Sequence, residues 1–554
     1  MPVAPTYPGV YIDELPSSVR TIIGVPTSVT AFVGAAERGK TDQVTHIDSW
    51  GDFERAFGGL SASSALSYAV YQFYQNGGAS AEIVRVAGSN AAASSLDLGS
   101  NLKLKAASSG KWGDKLRARV DYEGAGDDGW NLTIRDTGRG IEERYRGITK
   151  GADSNNALSK ALAASALISS EGVNDTIRPQ DTAEVKFGDP FVEPPPSPPA
   201  PATPPPPPPA EGGTTEGEAT EGGGEAAPSP PAPPPPQPAK KQYYESTGGA
   251  DGGALDSSAF LGGQQGQSQK KGIYALLDTD IFNLLVLKGF PENEETEVLQ
   301  AALQLCVDRR AILVLDKTSW TTVEAAITGI GAFPLSGDQA KNAAIYFPEL
   351  CLPDPLKDGN SWFGPAGSIA GVIARTDAQR GVWKAPAGTD ASIAGVQSTR
   401  VRLTDADSGR LNPRGVNAIR TFPLIGTVAW GARTLRGADI LADQWKYLPV
   451  RRTALFIEES LYRGTKWAVF EPNDEPLWAS LRLNIGAFMN SLFRQGAFFG
   501  STPREAYLVK CDRENNPDND IDRGIVNILV GFRPLKPAEF VLIHIQQLAG
   551  QLET

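Results

Sequence analysis

The chain carries 554 residues, with 64 Asp and Glu against 52 Lys and Arg, a net charge of -12, three cysteines and two histidines. That length exceeds one ordinary core and implies two to four domains, while the acid excess removes any global electrostatic reason to bind nucleic acid or an anionic membrane. Cys306, Cys351 and Cys511 show no C-x-x-C spacing, which argues against a structural zinc site or disulfide framework, and no run approaches the ~18–20 apolar residues of a membrane span.

The start, MPVAPTYPGVY, has no basic region followed by an apolar run, so no secretory signal is expected and the protein should be soluble where it is made. "TYPGVYIDELPSS" reads as an extended segment, with Pro8-Gly9 as a turn, then Val10, Tyr11 and Ile12, and a break at Pro16. "TAFVG" and "AEIVRVA" read as short strands, with "SSALSYAVYQFYQNGG" between them as a helix ending at Gly77 and Gly78. "KLRARVDYE" and "NLTIRD" alternate as half-exposed strands and suggest a separate β-rich unit. From Glu193 to Ala239, Pro-rich runs bracket an acidic "EGGTTEGEATEGGGE". The Pro runs favour polyproline II and the Gly/Glu centre a solvated coil, so nothing there buries a core. The segment reads as a tolerated insertion in an exposed loop, or else as a spacer or a ligand for Pro-binding modules.

Beyond it the pattern strengthens. "NLLVLKG" is a short apolar strand, and "PENEETEVLQAALQLCVDRR" a helix with Val298, Leu299, Ala302, Leu303, Leu305 and Cys306 on one side. "AILVLD", "WTTVEAAITGIGAF" and "NAAIYFP" continue a strand–helix–strand alternation that predicts a parallel sheet covered on both faces. From about Leu435 two long helices follow, "RRTALFIEESLYRGTKWAVF" and "PLWASLRLNIGAFMNSLFRQGAF". Three strands then close the chain: "EAYLVKC", "GIVNILVGF" and "EFVLIHIQQ".

One motif resembles catalytic machinery. Gly34, Gly39, Lys40 and Thr41 complete G-x-x-x-x-G-K-[ST], the pattern that cradles phosphates, and Asp316 ends an apolar strand where such enzymes help hold Mg²⁺. A phosphate loop must open a helix, whose N-terminus supplies amides and dipole. Here the extended "TDQVTHIDSW" follows instead, with Asp42 placed to repel phosphate. A P-loop NTPase using Gly34 to Thr41 is therefore the alternative reading rather than the first. Ser368 in "GPAGSIAGV" superficially suggests a nucleophile, but no histidine is placed to activate it. His46 lies in a short extended run and His544 in an apolar strand, and each has an ordinary structural role available. No catalytic residue, metal or cofactor is expected.

The two ends are unusual. "EFVLIHIQQ" places Val541, Ile543 and Ile545 on one face and Leu542 on the other, and exposed apolar strands at both termini aggregate unless something pairs with them. Strand addition between chains would satisfy both and, being heterologous, would generate rings or helical tubes; pairing of the termini within one chain is the alternative.

The sequence resembles the sheath proteins of contractile phage tails and phage-tail-like injection systems. The resemblance rests on "YPGVYIDELPSS", "GVPTSVTAFVGAAERG", "SWGDFERAFGG", "YQNGGASAEIVRVA", "PAGSIAGVIARTDAQRGVWKAPAG", "LNPRGVNAIRTFP" and "RRTALFIEESLYRGTKWAVFEPNDEPLWASL" with the closing strand, in family order. It implies stacked hexameric rings around an inner tube, assembled extended in a metastable state in the bacterial cytoplasm, with baseplate and terminal cap proteins as further partners. Contraction would then drive the inner tube through a target envelope, without nucleic acid or direct membrane insertion. The particle would be a phage tail or a released or anchored injection device. The implied fold is α/β and multi-domain. It comprises an arm over 1–25, a subtilisin-like parallel-sheet body over 26–95 and 272–430, an inserted β-rich outer domain over 96–271, and an α+β assembly domain over 435–554. The implied strand-exchange residues are Tyr7, Pro8, Gly9, Val10, Tyr11 and Ile12 at one end and Phe540, Val541, Leu542, Ile543, His544 and Ile545 at the other.

Overall fold

A computed structural model describes residues 20–99, 101–126, 129–179, 243–290 and 295–544. The Pro-rich stretch 193–239 lies outside them. The first strand, β1 (Thr30–Gly34), is buried along its whole length. It is followed by β2 (Val44–Ile47), helices α1 (Trp50–Phe57) and α2 (Ala65–Gln75), and β3 (Ala81–Arg85). Ser49 and Ser64 begin the two helices by accepting hydrogen bonds from the backbone N–H of Asp52 and Ser67, which satisfies donors that a helix start leaves unpaired.

The described residues within 93–107 and 111–249 build a separate compact unit. Its strands are β4 (Ser95–Asp97), β5 (Lys103–Ala106), β6 (Leu116–Asp121), β7 (Gly129–Asp136), β8 (Ile141–Thr149), β9 (Ile168–Ser169) and β10 (Tyr244–Thr247). They form one antiparallel sheet in the order β8-β7-β6-β10-β4-β5-β9. Period-two alternation explains it: Leu116, Ala118 and Val120 on β6 and Leu132 and Ile134 on β7 share one buried cluster, while the intervening arginines of β6 stay partly exposed.

The rest of the chain returns to the first unit. It contributes β11 (Leu284–Leu287), α3 (Glu295–Asp308), β12 (Ile312–Asp316), α4 (Val323–Gly331) and β13 (Ala343–Phe347). A small three-stranded sheet follows from β14 (Leu350–Pro353), β15 (Asn360–Phe363) and β16 (Ser398–Thr399), interrupted by α5 (Ala366–Arg380). Then come β17 (Val416–Phe422), β18 (Gly426–Ala429), the long helices α6 (Leu448–Gly464) and α7 (Glu475–Arg494), and the ribbon β19 (Tyr507–Lys510) and β20 (Leu529–Phe532). All six apolar residues singled out on α3 are buried. Among the described residues no helix is long and apolar enough to cross a membrane.

The body sheet has eight strands in the order β18-β17-β13-β12-β11-β1-β3-β2. Here the structure corrects the expectation of a subtilisin-like parallel body, because the sheet is mixed. Its six central strands run parallel, but β18 is antiparallel to β17 and β2 antiparallel to β3. The β17–β18 link spans only residues 423–425, too short for the crossover that a parallel pair demands. The sheet nevertheless keeps one doubly wound feature: strand order reverses between β1 and β11, and the crevice outside their carboxyl ends is where such folds place ligands.

Candidate assembly site

The phosphate-like loop sits at that reversal, and its polarity is wrong for an anion. The guanidinium of Arg85, 2% exposed, fills the loop. Its Nε donates to the Ala36 carbonyl at 2.9 Å, and its Nη1 to the Gly39 carbonyl at 2.7 Å and Thr41 Oγ1 at 3.2 Å. Nη2 donates to the Ser109 carbonyl at 2.8 Å. The loop therefore turns carbonyls inward on a cation of its own, whereas a phosphate cradle turns amides inward. Burial pulls the Arg85 pKa down to about 10, so the group stays charged at neutral pH. Gly34 is explained by packing, since a Cβ there would come within 2.6 Å of the Lys288 carbonyl oxygen. Lys40 is exposed. Lys40→Ala is expected to leave the melting temperature unchanged, and calorimetric titration with ATP should give no saturable heat in either protein.

The other candidates for chemistry are also occupied. Asp316 binds the Lys288 ammonium and accepts the Ala366 N–H at 2.7 Å, so it caps α5 rather than the helix next in sequence. Its carboxylate thus fills the anion position that a helix start offers. Ser368 is buried in α5 and donates to Gln72 Oε1 at 3.3 Å. His46, half exposed on β2, is held between Glu82 and Asp48, each at 3.0 Å. Partial burial would lower its pKa, but the two carboxylates outweigh that and raise it. A raised histidine contributes stability that is complete below about pH 6.5 and is lost as pH climbs through the folded value. Glu82 is also raised, chiefly by burial, and changes stability in the same direction. His46→Gln should therefore melt below the parent at pH 5.5, and the gap should close by pH 8.5 in paired thermal melts.

The geometry worth building on lies where the two ends of the chain leave the body. At the N-terminal side residues 20–29 run along α6. Ile22 packs against Gly464, where a Cβ would come within 2.7 Å of it, and Gly24 lies as closely against Phe456. Val25 N–H donates to Ser460 Oγ at 3.2 Å, and the Arg20 guanidinium sits 4.5 Å from the Trp467 ring centre. A buried pair fixes the end of this path. Arg452 reaches Asp377 with two nitrogens at 2.7 and 2.6 Å and the Thr27 carbonyl at 2.9 Å, while Thr27 Oγ1 donates to Asp377 at 2.7 Å.

The C-terminal side has its own bolt. Arg433, fully buried, donates to both oxygens of Glu539 at 2.8 and 2.5 Å. It also donates to the carbonyls of Asn412 at 2.8 Å and Gly437 at 3.0 Å, and to Asp439 at 2.9 Å. Asn417 clamps its backbone from both sides. Immediately after Glu539 the chain becomes apolar and open: Phe540, Val541, Leu542 and Ile543 are 73–81% exposed. Residues 540–544 form no strand pair among the described residues, although the sequence reads as a strand there. The ribbon β19–β20 packs Tyr507, Val530 and Phe532 in one cluster with Phe488 and Met489 of α7. The outer edges of the ribbon have no strand partner among the described residues. Tyr7 to Ile12 and Ile545 lie outside the described residues. Sequence reasoning missed Arg433, Glu539, Asp377 and Arg452, because the partners stand 106 and 75 residues apart and no local spacing marks them.

Comparison with known proteins bears on this end of the chain. Residues 442–547 match the phage tail sheath C-terminal domain. The tail sheath protein of Vibrio phage KVP40 is 30% identical over 192 residues, 34% of this chain and 27% of that protein. Over these stretches the chain is similar to contractile tail sheath proteins. A putative prophage major tail sheath protein of Pseudomonas aeruginosa is 27% identical over 51% of this chain and 70% of its own. The match thus spans about a quarter of the Vibrio phage sheath and most of the prophage one. Among solved structures, the sheath complex of an extracellular contractile injection system in its contracted state superposes with a TM-score of 0.55 at 21% identity, covering 98% of both chains. The sheath tail protein of Listeria innocua gives 0.57 at 12% identity, over 93% of this chain and 96% of that one. The sheath architecture, an α/β multi-domain fold with mixed sheets, replaces the subtilisin-like one expected from sequence.

Proposed function

We propose that the chain is a structural sheath subunit that polymerises into a tube around an inner tube and contracts on triggering to drive that tube through a target envelope. The carrying observation is the exposed apolar run Phe540 to Ile543, leaving a buried ion-pair anchor in a chain that also holds an open two-stranded ribbon. Four large apolar side chains at that exposure are stable in water only when another surface covers them. An extended segment meeting an open ribbon edge gains backbone hydrogen bonds and side-chain burial together. Donor and acceptor lie at different places on one chain, so repetition gives a ring or helix rather than a closed dimer. Tyr7 to Ile12 and Phe540 to Ile545 are the exchanged segments in this reading. Its partners are further copies of the chain, an inner tube protein, and baseplate and terminal cap proteins. Strand pairing across the joint lets subunits rotate as rigid bodies while other contacts exchange, with the energy stored at assembly rather than drawn from a nucleotide.

Removal of Tyr7–Leu15, or of the last fifteen residues, is expected to leave soluble protein with unchanged circular dichroism that forms no tubes in negative-stain micrographs. Normal tubes from either truncation would sink the strand-exchange reading.

A further inference from the structure

The β-rich unit carries a charged face for which the functions above have no use. Apolar side chains fill one side of its sheet, so Arg117 and Arg119 of β6, Arg135 of β7, and Arg144 and Arg146 of β8 share the other. That is unusual for a chain of net charge -12. The acids beside them are fewer. Glu245, Asp121 and Glu142 stand 3.8, 3.9 and 3.9 Å from Arg117, Arg119 and Arg135, and Glu142 also binds Arg144. Arg146 is exposed and makes no ion pair among the described residues. Arg117 lies directly opposite Arg135, and the row Arg119–Thr133–Arg144 crosses three strands without an acid. Like charges facing one another across strands cost stability. Arg119 and Arg144 are two strand spacings apart, about 10 Å, which leaves room for a carboxylate between them.

The same unit gives rise to a matching anion. The chain leaves it after Pro179, whose carbonyl accepts from the Tyr122 hydroxyl just past β6, while Arg178 donates to the Gly129 carbonyl at 2.8 Å. It returns at Tyr243, whose ring centre lies 5.6 Å from the Arg117 guanidinium near the start of β6. Residues 180–242 thus begin and end at the two ends of one basic strand. Their centre, Glu211 to Glu225, holds five glutamates among glycine, threonine and alanine, and no lysine or arginine occurs between Glu193 and Ala239. Such small neighbours do not hold the carboxylates off a flat sheet face. The first proline run, Pro194 to Pro209, would span about 50 Å as polyproline II. Seven strands at about 4.8 Å make a sheet only about 34 Å across, so the run carries the acidic centre past its own sheet. We propose that the arginine face seats Glu211–Glu225 of a second copy, with glutamates between Arg119 and Arg144 and on Arg146. The contact rests on the polymerisation reading, which sets copies side by side, but uses neither terminus of the chain. Each exposed ion pair is weak, so the contact acts through its repetition along the polymer. Charge complementarity of this kind selects the partner and weakens with added salt.

The test uses full chains carrying Cys351→Ser, which leaves only the buried Cys306 and Cys511. One tagged copy bears Ala219→Cys in the acidic centre, and a differently tagged copy bears Thr133→Cys on the arginine face. The two are mixed, assembled into tubes, oxidised and run on a non-reducing gel. A covalent product joining both tags is expected. Tubes without that product, or a bond that forms only within a chain bearing both cysteines, would overturn the proposal and leave polymerisation standing; a parent chain that makes no tubes would overturn both. In a second arm, Arg119→Glu with Arg144→Glu should cut the crosslink about tenfold. Glu216→Lys with Glu218→Lys and Glu221→Lys, which leaves the sheet untouched, should cut it as much against the parent face and restore it against the reversed one. Equal yield from every pairing, or no recovery when both charges are reversed, would also count against the arginine face.

Discussion

Asp377→Ala is expected to lower stability by about 3–5 kcal/mol, the usual consequence of leaving a buried charge without its partner. Both members of the Asp377–Arg452 pair are 3% exposed, so water cannot replace the lost carboxylate. The damage spreads across three elements. Asp377 belongs to α5 and Arg452 to α6, and both bind Thr27, where the N-terminal segment enters β1. Asp377→Asn keeps acceptors for Thr27 and one arginine nitrogen, and should cost less. The double replacement Asp377→Leu with Arg452→Leu removes both charges and should recover much of the loss, because desolvation offsets most of a buried pair's attraction. Denaturant unfolding of the three proteins separates the cases. A single-variant loss below about 1 kcal/mol would show that solvent reaches the pair.

Much of the body was legible in the sequence because its signals are local. β1 and β12 are short apolar runs bounded by turn residues, and α3 repeats apolar residues at helical spacing into the core. What escaped was whatever depends on distant partners. G-x-x-x-x-G-K-T is complete as a string, yet its meaning is set by Arg85, more than forty residues on, whose side chain converts the loop into a carbonyl cage. Strand direction escaped for a related reason, since an apolar run has the same composition whichever way it points. β2 and β18 were therefore free to close the sheet antiparallel. Of the assembly site, sequence showed the apolar terminal run but not its anchor, because neither Arg433 nor Glu539 stands in a pattern that separates it from surface residues.

That anchor allows stability and assembly to be measured apart. Arg433→Ala strips five hydrogen bonds at once and leaves the Asn412 and Gly437 carbonyls without this donor, with Asp439 hydrogen-bonded only to Lys446 and Glu539 only to the Tyr447 hydroxyl, a loss of about 3–5 kcal/mol. Glu539→Ala removes less from the body. Arg433 keeps Asp439 and two carbonyls, so denaturation should register only about 1–3 kcal/mol. For assembly the order should differ. Glu539 is the last residue before the exposed run, and without it Phe540 to Ile543 leave the body from an unfixed point. An arm that must find a neighbour's ribbon from an unfixed root meets a larger entropy loss on docking than one already aimed. Both variants should therefore lose tubes in sedimentation and negative stain, despite unequal losses of stability. Tubes of normal yield from Glu539→Ala would mean that the arm finds its neighbour unaided and that Arg433 serves only the body. If tubes are lost from both variants while only Arg433→Ala is severely unstable, the function of the pair lies in where it points the chain.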